Sequence, residues 1–380
     1  MQVLQRPVIC TRMPKIRSIT LYAARIPLVD PFIISLGMLD HAENVVVRIE
    51  ADALTGFGEC SPFRTIHGET QAGCMSVGKE IAKVLLGADA SIPVDCLSRM
   101  DKRIYGNACI KSAFDMAIHD LAAQAAGLPL WQYLGGKAGE ELFTDYTVSI
   151  GPVDRMVKDA VSIRERGFPV VKVKLGEHAA ADIQRMRAIR AAIGNDLPIR
   201  IDANQGWTKS DAIEALQQME SLNIQHCEEP VSRRAFFELP EIRKNAPIPI
   251  MADESCCDEY DAQNLLALQA VDSFNIKLSK SSGLIRARRI AVLAEQAGMR
   301  LQLGGFLESR LGFTAAAHFA WTLQETPYVD FDTPLMLSAD PVDGGMLYGP
   351  GGRIRLPEGP GLGAAVDAAF LQSCPREEVR

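Results

Sequence analysis

The chain has 380 residues, of which 47% are hydrophobic and 23% charged, and its formal net charge is −7. That apolar content is globular, so disorder is excluded as the main state, and about two domains are expected at this length. An acidic chain without a basic block is poorly suited to nucleic acid or an anionic membrane surface, so a small-molecule partner is expected.

Residues 1–15 read as a loose N-terminal extension. They lack the roughly 7–15-residue apolar run of a signal peptide. No stretch of about 18 apolar residues occurs, so no membrane span is predicted. The nine cysteines (10, 60, 74, 96, 109, 227, 256, 257 and 374) are odd in number and form no C-x-x-C. Neither a zinc ribbon nor a thioredoxin-like site is therefore signalled. Scattered thiols of this kind fit a reducing compartment, as small buried hydrophobes, and a cytoplasmic location is expected.

From Ile16 to about Glu50 the pattern is strand-like, and the turn Thr55-Gly56 precedes a further short strand. Residues 31–37, Pro-Phe-Ile-Ile-Ser-Leu-Gly, read as a loop with exposed apolar residues. Residues 61–69 read as a second loop. Ile110, Phe114, Ala117 and Leu121 recur at helical spacing, and Gly127-Leu128-Pro129 stops that helix. Beyond about residue 143, β-branched runs alternate with helical stretches. The runs are 146–150, 170–175, 198–203, 223–228, 247–253, 273–278 and 300–303. Such alternation predicts parallel βαβ units closing into a TIM-type barrel.

Side chains on a strand alternate between faces. In Val171-Lys172-Val173-Lys174 the valines face the helices, so both lysines face the barrel interior. By the same parity Asp202 points inward, His226 and Glu228 share a face, the next strand ends at Asp253, and Asn275 and Lys277 point inward. Unpaired charges buried there would cost several kcal/mol each. The three lysines and three carboxylates recur at intervals of 24–28 residues, one strand-plus-helix unit apart, near the strand ends where barrel enzymes hold their sites.

Asp202, Glu228 and Asp253 are hard oxygen ligands suited to Mg²⁺, with Mn²⁺ as second choice. A divalent ion there would bind a substrate carboxylate and stabilise the enediolate formed when an α-proton leaves. Lys172 beside Lys174 supplies a cation that lowers a lysine pKa toward that of a base, and Lys277 approaches from across the barrel. Two bases on opposite faces of one carbon invert it, which leads to a 1,1-proton transfer.

The K-x-K pair, Asp202-Ala203-Asn204-Gln205-Gly206-Trp207, Cys227-Glu228-Glu229-Pro230, Ala252-Asp253-Glu254-Ser255 and Asn275-Ile276-Lys277 resemble the muconate-lactonising subgroup of the enolase superfamily. The resemblance runs from Ile16 to about Gly363. It implies an α/β fold: a modified (β/α)₇β barrel over 141–330, an α+β capping domain over 16–140, and a C-terminal segment, 331–380, that completes the cap. It also implies loops 31–38 and 61–69 as lids, Lys174 as one base and Lys172 as its assistant on the substrate carboxylate. In Tyr328-Val329-Asp330-Phe331-Asp332, the Asp-x-Asp is similar to that of the dipeptide epimerases in this subgroup, where it binds the substrate α-ammonium. Two same-face carboxylates suit that role. Thr147 resembles a substrate-contacting threonine of the same enzymes.

The function this resemblance implies is Mg²⁺-dependent dipeptide epimerisation at the C-terminal residue. Rivals on the same scaffold are an N-acylamino acid racemase, an o-succinylbenzoate synthase or a muconate cycloisomerase. A non-catalytic, metal-stabilised binding protein is a rival of another class. Epimerases of Ala-Glu carry an arginine in the first lid, at a place occupied here by Gly37. Small or hydrophobic dipeptides are therefore expected, unless Arg64 of the second lid supplies the missing cation. A homo-oligomer is compatible with the sequence.

Overall fold

The computed structural model describes residues 13–139 and 141–380. Strands Ile16–Ile34 and Gly37–Ala51 form a long antiparallel hairpin, with Leu21 opposite Val47 and Ile19 opposite Ile49. Those residues are fully buried, because alternation puts them on the face covered by helices. Strand Leu54–Cys60 extends this sheet, and helix Ala108–Ala126 lies across it. A Cβ on Gly56 or Gly58 would stand 2.3 or 2.0 Å from the carbonyl oxygens of Ala117 and Ala113, so only glycine admits the helix this closely. Gly127, at φ +69°, ends the helix where the sequence places the stop. At the other edge of the sheet, strand Arg376–Val379 pairs with Ile16–Ile34 and brings the C-terminus into the cap.

Residues 31–37 are not the loop expected from sequence. Phe32 pairs with Leu39, Ile33 with Met38 and Ile34 with Gly37, leaving Ser35 and Leu36 as the turn. The strand register shifts between Pro27 and Phe32, a segment that contains Pro31, which has no N–H to donate. Turn residues there imitate a loop in sequence, although pairing resumes beyond them.

The barrel is a parallel sheet of eight strands in sequential order: Tyr146–Val148, Val171–Lys174, Ile199–Asp202, Ile224–Glu228, Ile250–Ala252, Ser273–Lys277, Arg300–Gly304 and Tyr328–Val329. Its two edges meet where the Asp145 N–H donates to the Val329 carbonyl at 3.3 Å. Val171, Val173, Ile199, Ile201 and Ile276 form the apolar layer between strands and helices.

The cap closes on the strand ends through specific bonds. Ser35 Oγ donates to the carbonyls of Ala203 and Asn204 at 3.1 and 2.8 Å. Leu307 N–H donates to Ser61 Oγ at 3.1 Å. Buried Glu59 accepts from the N–H groups of Ser309 and Gly312 at the start of helix Arg310–Ala320. Both lid segments are thereby tied to the C-terminal face of the barrel. Among the described residues, no helix is long and apolar enough to cross a membrane.

Candidate active site

Lys174, Asp202 and Glu228 sit in register on three neighbouring strands, Lys174 beside Asp202 and Asp202 beside Glu228. Asp253 follows the fifth barrel strand directly. Oxygens of Asp202, Glu228 and Asp253 all lie within 4.8 Å of one another, and all three side chains are fully buried. Ammonium groups surround them. Lys174 donates to Asp202 at 2.7 Å, Lys172 to Glu228 at 2.7 Å and Lys277 to Asp253 at 2.5 Å.

Burial would raise Glu228, but Lys172, Lys277 and Lys174 together hold it well below the usual carboxylate range. Asp202 is raised by burial and by the neighbouring Glu228 charge. Burial would lower Lys277, yet Asp253 and Glu228 raise it above an ordinary lysine. Two further buried oxygens, Glu254 Oε2 and Asn204 Oδ1, have no hydrogen-bond donor among the described residues. Three converging hard carboxylates, with orphaned oxygens beside them, fit a divalent cation such as Mg²⁺.

The Asp-x-Asp lies just beyond the eighth strand. Asp330 accepts from Lys172 at 2.6 Å, and Asp332 accepts from the Thr147 backbone N–H at 2.7 Å. Thr147 thus meets the Asp-x-Asp through its main chain. Burial and the adjacent Asp330 raise Asp332 to about 7. Lys172 holds Asp330 low against its burial. Asp145 completes an acidic trio with these two, its oxygens also within 4.8 Å. It is raised by burial and by Asp330, and is paired to Arg200 at 2.8 Å.

A cavity opens beside the Asp-x-Asp, and Lys174 and Lys277, paired with Asp202 and Asp253, reach its lining. Lys174, Lys277, Asn204, Thr147, Asp330 and Asp332 line its polar side. Phe32, Ile34, Phe63, Ile66, Phe306 and Leu307 line its apolar side. Phe32 of the hairpin and Phe306 each stand over one lysine, at 5.7 Å from Lys174 Nζ and 4.8 Å from Lys277 Nζ. Aromatic faces attract cations and exclude water, so both amines sit in shielded surroundings. Arg64 is not in this cavity. Its side chain is 72% exposed and pairs with Glu43 at 3.1 Å.

Four participants escaped sequence reading. Lys280 donates to Asp253 at 2.7 Å from the turn after the sixth strand, where strand alternation has ended and gives no direction. Arg200 and Asp145 share the inward parity of Asp202 and Thr147 and could have been found by it. Gln302 donates to Glu228 at 3.2 Å, beside Asn275, which donates at 2.6 Å. Its neutral amide made it inconspicuous. His226 is buried against Tyr328, ring centroids 5.1 Å apart, and burial and Arg200 push it down to about 3. It is a neutral packing residue.

Residues 16–135 match the mandelate racemase / muconate lactonizing enzyme N-terminal domain, and residues 155–370 match the enolase C-terminal domain-like model. The chain is 54% identical over 357 residues to a D-Ala-D/L-Ala epimerase of Cytophaga hutchinsonii, covering 94% of this chain and 97% of that one. It is 38% identical to an L-Ala-D/L-Glu epimerase of Bacillus subtilis, covering 91% and 95%. A crystal structure of a dipeptide epimerase from Cytophaga hutchinsonii, complexed with Mg and D-Ala-L-Val, superimposes with a TM-score of 0.95 at 52% identity, covering 96% of this chain and all of that one. The chain belongs to the mandelate racemase / muconate lactonizing enzyme family of the enolase superfamily.

Proposed function

We propose that the protein is a Mg²⁺-dependent dipeptide epimerase, an isomerase that inverts the α-carbon of the C-terminal residue of unprotected dipeptides. The observation that carries this reading is the cavity itself. Its lining brings together an amine from each of two opposite barrel strands, each paired to a carboxylate of the hard triad, and the Asp330 and Asp332 pair. Asp202, Glu228 and Asp253 would hold Mg²⁺, which would supply the positive charge that stabilises the anion developing as the α-proton leaves.

The chain's own residues do the rest. Lys174 and Lys277 flank the cavity from the second and sixth barrel strands, so one removes the α-proton and the other returns a proton to the opposite face. Asp253 and Glu228 favour the ammonium form of Lys277. With those carboxylates holding a cation, Lys277 would lose part of that support and be a better base. Lys172, between Glu228 and Asp330, assists at the substrate carboxylate. Asp330 and Asp332 hold the α-ammonium by charge-assisted hydrogen bonds. The apolar wall favours small or hydrophobic side chains.

Incubation with dipeptide mixtures in D₂O and Mg²⁺, read by mass spectrometry, tests this. Free dipeptides should gain one deuterium at the C-terminal α-carbon with formation of the epimer, and EDTA should stop it. Exchange that persists in EDTA, or that occurs only on N-acylated amino acids, would contradict the proposal.

A further inference from the structure

Three cysteines that this chemistry does not use meet inside the cap. Cys60 ends strand Leu54–Cys60, Cys74 lies in the first turn of helix Gln71–Leu85, and Cys109 lies in the first turn of helix Ala108–Ala126. Their sulfurs are all within 4.8 Å of one another, and each residue is buried. The spacing 60, 74, 109 carries no metal motif, because one strand and two separate helices contribute the thiols. Burial alone does not gather them. Cys96, Cys227 and Cys256 are equally buried, and among the described residues none of them joins such a group.

A fourth donor stands beside the thiols. Glu69 Oε2 is 3.5 Å from Cys74 Sγ, and Glu69 Oε1 accepts the Cys109 backbone N–H at 2.9 Å. Helix Ala108–Ala126 has no side-chain cap of its own at Asn107, so this carboxylate fills that place. The positive ends of two helices therefore face the cluster, which works against the burial that pushes the Cys60 and Cys109 thiols up.

We propose that Cys60, Cys74, Cys109 and Glu69 form a second metal site, one for Zn²⁺, separate from the carboxylate triad. Thiolates exclude Mg²⁺ and Ca²⁺, whereas the hard carboxylate is a poor partner for Cu⁺. Sulfurs on one tetrahedral zinc at about 2.3 Å stand roughly 3.8 Å apart, so a contraction of at most about 1 Å brings the three thiols onto one ion, and Glu69, which lies beside Cys74 but outside that group, turns Oε2 in to complete the site. Each thiol that ligates releases its proton to solvent. Glu69 is only partly buried and gives the ion a way in. Cys60 precedes loop 61–69 and Glu69 is its last residue, and Phe63 and Ile66 of that loop line the cavity. Bound zinc would pin both ends of that lid to helix Ala108–Ala126.

Anaerobic titration of the reduced protein with Co²⁺, at fixed excess Mg²⁺, tests this. Thiolate-to-cobalt charge transfer, which oxygen ligands cannot produce, should appear with one equivalent and be abolished by one equivalent of Zn²⁺. Cys74→Ser and Glu69→Gln should each weaken Zn²⁺ at least tenfold. Zn²⁺ should slow proteolysis within 61–69 in the wild type and not in Cys74→Ser. No charge-transfer band in the wild type would overturn the site. So would unchanged Zn²⁺ affinity in Cys74→Ser, or a disulfide between any two of the three cysteines in protein purified without reductant. Equal proteolysis rates with and without Zn²⁺ would overturn the pinning of the lid.

Discussion

Asp332→Asn isolates the charge of the proposed ammonium site. Asp332 accepts the Thr147 N–H at 2.7 Å, and an asparagine oxygen keeps that bond. Asp330 is a less clean target, because it also anchors Lys172 at 2.6 Å. A hydrogen bond to a charged group contributes about 1.5–3 kcal/mol. Asp332→Asn should therefore lower kcat/KM for free dipeptides roughly 10- to 150-fold at pH 8. The loss should also depend on pH. Burial and Asp330 raise Asp332 to about 7, so below that pH it is neutral and attracts the ammonium weakly. At pH 6 about one-tenth is ionised, and the gap between wild type and variant should shrink about tenfold. A raised carboxylate pKa also means that this residue's contribution to stability is full at low pH and lost as pH rises toward 7. The ligand-free variant should consequently melt higher than wild type at pH 8. Steady-state kinetics from pH 5.5 to 8.5 on Ala-Ala and Ala-Leu supply the numbers. A loss below threefold at pH 8, or parallel pH profiles for the two proteins, would refute the ammonium role.

Two other outcomes are expected. Among the described residues, no cation besides Lys174 and Lys277 lines the cavity, and Arg64 is engaged with Glu43 at the surface. Each 50 Å² or so of apolar side chain buried there contributes about 1.3 kcal/mol, so kcat/KM for Ala-Leu should exceed that for Ala-Glu about tenfold; a preference for Ala-Glu that Arg64→Ala removes would show that Arg64 swings in. His318 is buried and neutral, its Nδ1 3.3 Å from the Trp131 N–H and its Nε2 3.2 Å from the Leu362 carbonyl, and burial pushes it down to about 4. The unfolded chain takes up that proton first as pH falls below about 6.5, so this residue costs about 2 kcal/mol of stability between pH 7 and 5. Denaturant melts should show His318→Gln losing correspondingly less over that interval, and identical losses would contradict the assignment.

The barrel was legible because its chemistry obeys the period of a strand. Lys172, Lys174, Asp202, Glu228 and Lys277 could be placed on the inner wall from alternation alone, and their registers agree with it. Legibility ended where the period ended. Lys280 reaches Asp253 from a turn, and no pattern predicts which way a turn aims its side chain. The first lid was misread as a loop because Pro31 and Gly37 look like turn residues, although the strands pair on both sides of Ser35-Leu36. Glu59, which ties the cap to helix Arg310–Ala320, is about 250 residues from its partners, and nothing local marks it. The cysteine cluster was invisible for the same reason: its members come together only when a strand and two helices pack.

Proton exchange in D₂O by Lys174→Ala and Lys277→Ala tests the two-base mechanism most directly. The amines come from opposite barrel strands and stand under different aromatic rings, at 5.7 Å from Phe32 and 4.8 Å from Phe306. Each variant should lose epimerisation by about 10²- to 10⁴-fold, the contribution of a positioned base. Any residual α-exchange should occur without inversion, on one diastereomer for Lys174→Ala and on the other for Lys277→Ala. Full epimerisation by either variant, or retention of the same diastereomer by both, would contradict inversion by two opposed lysines.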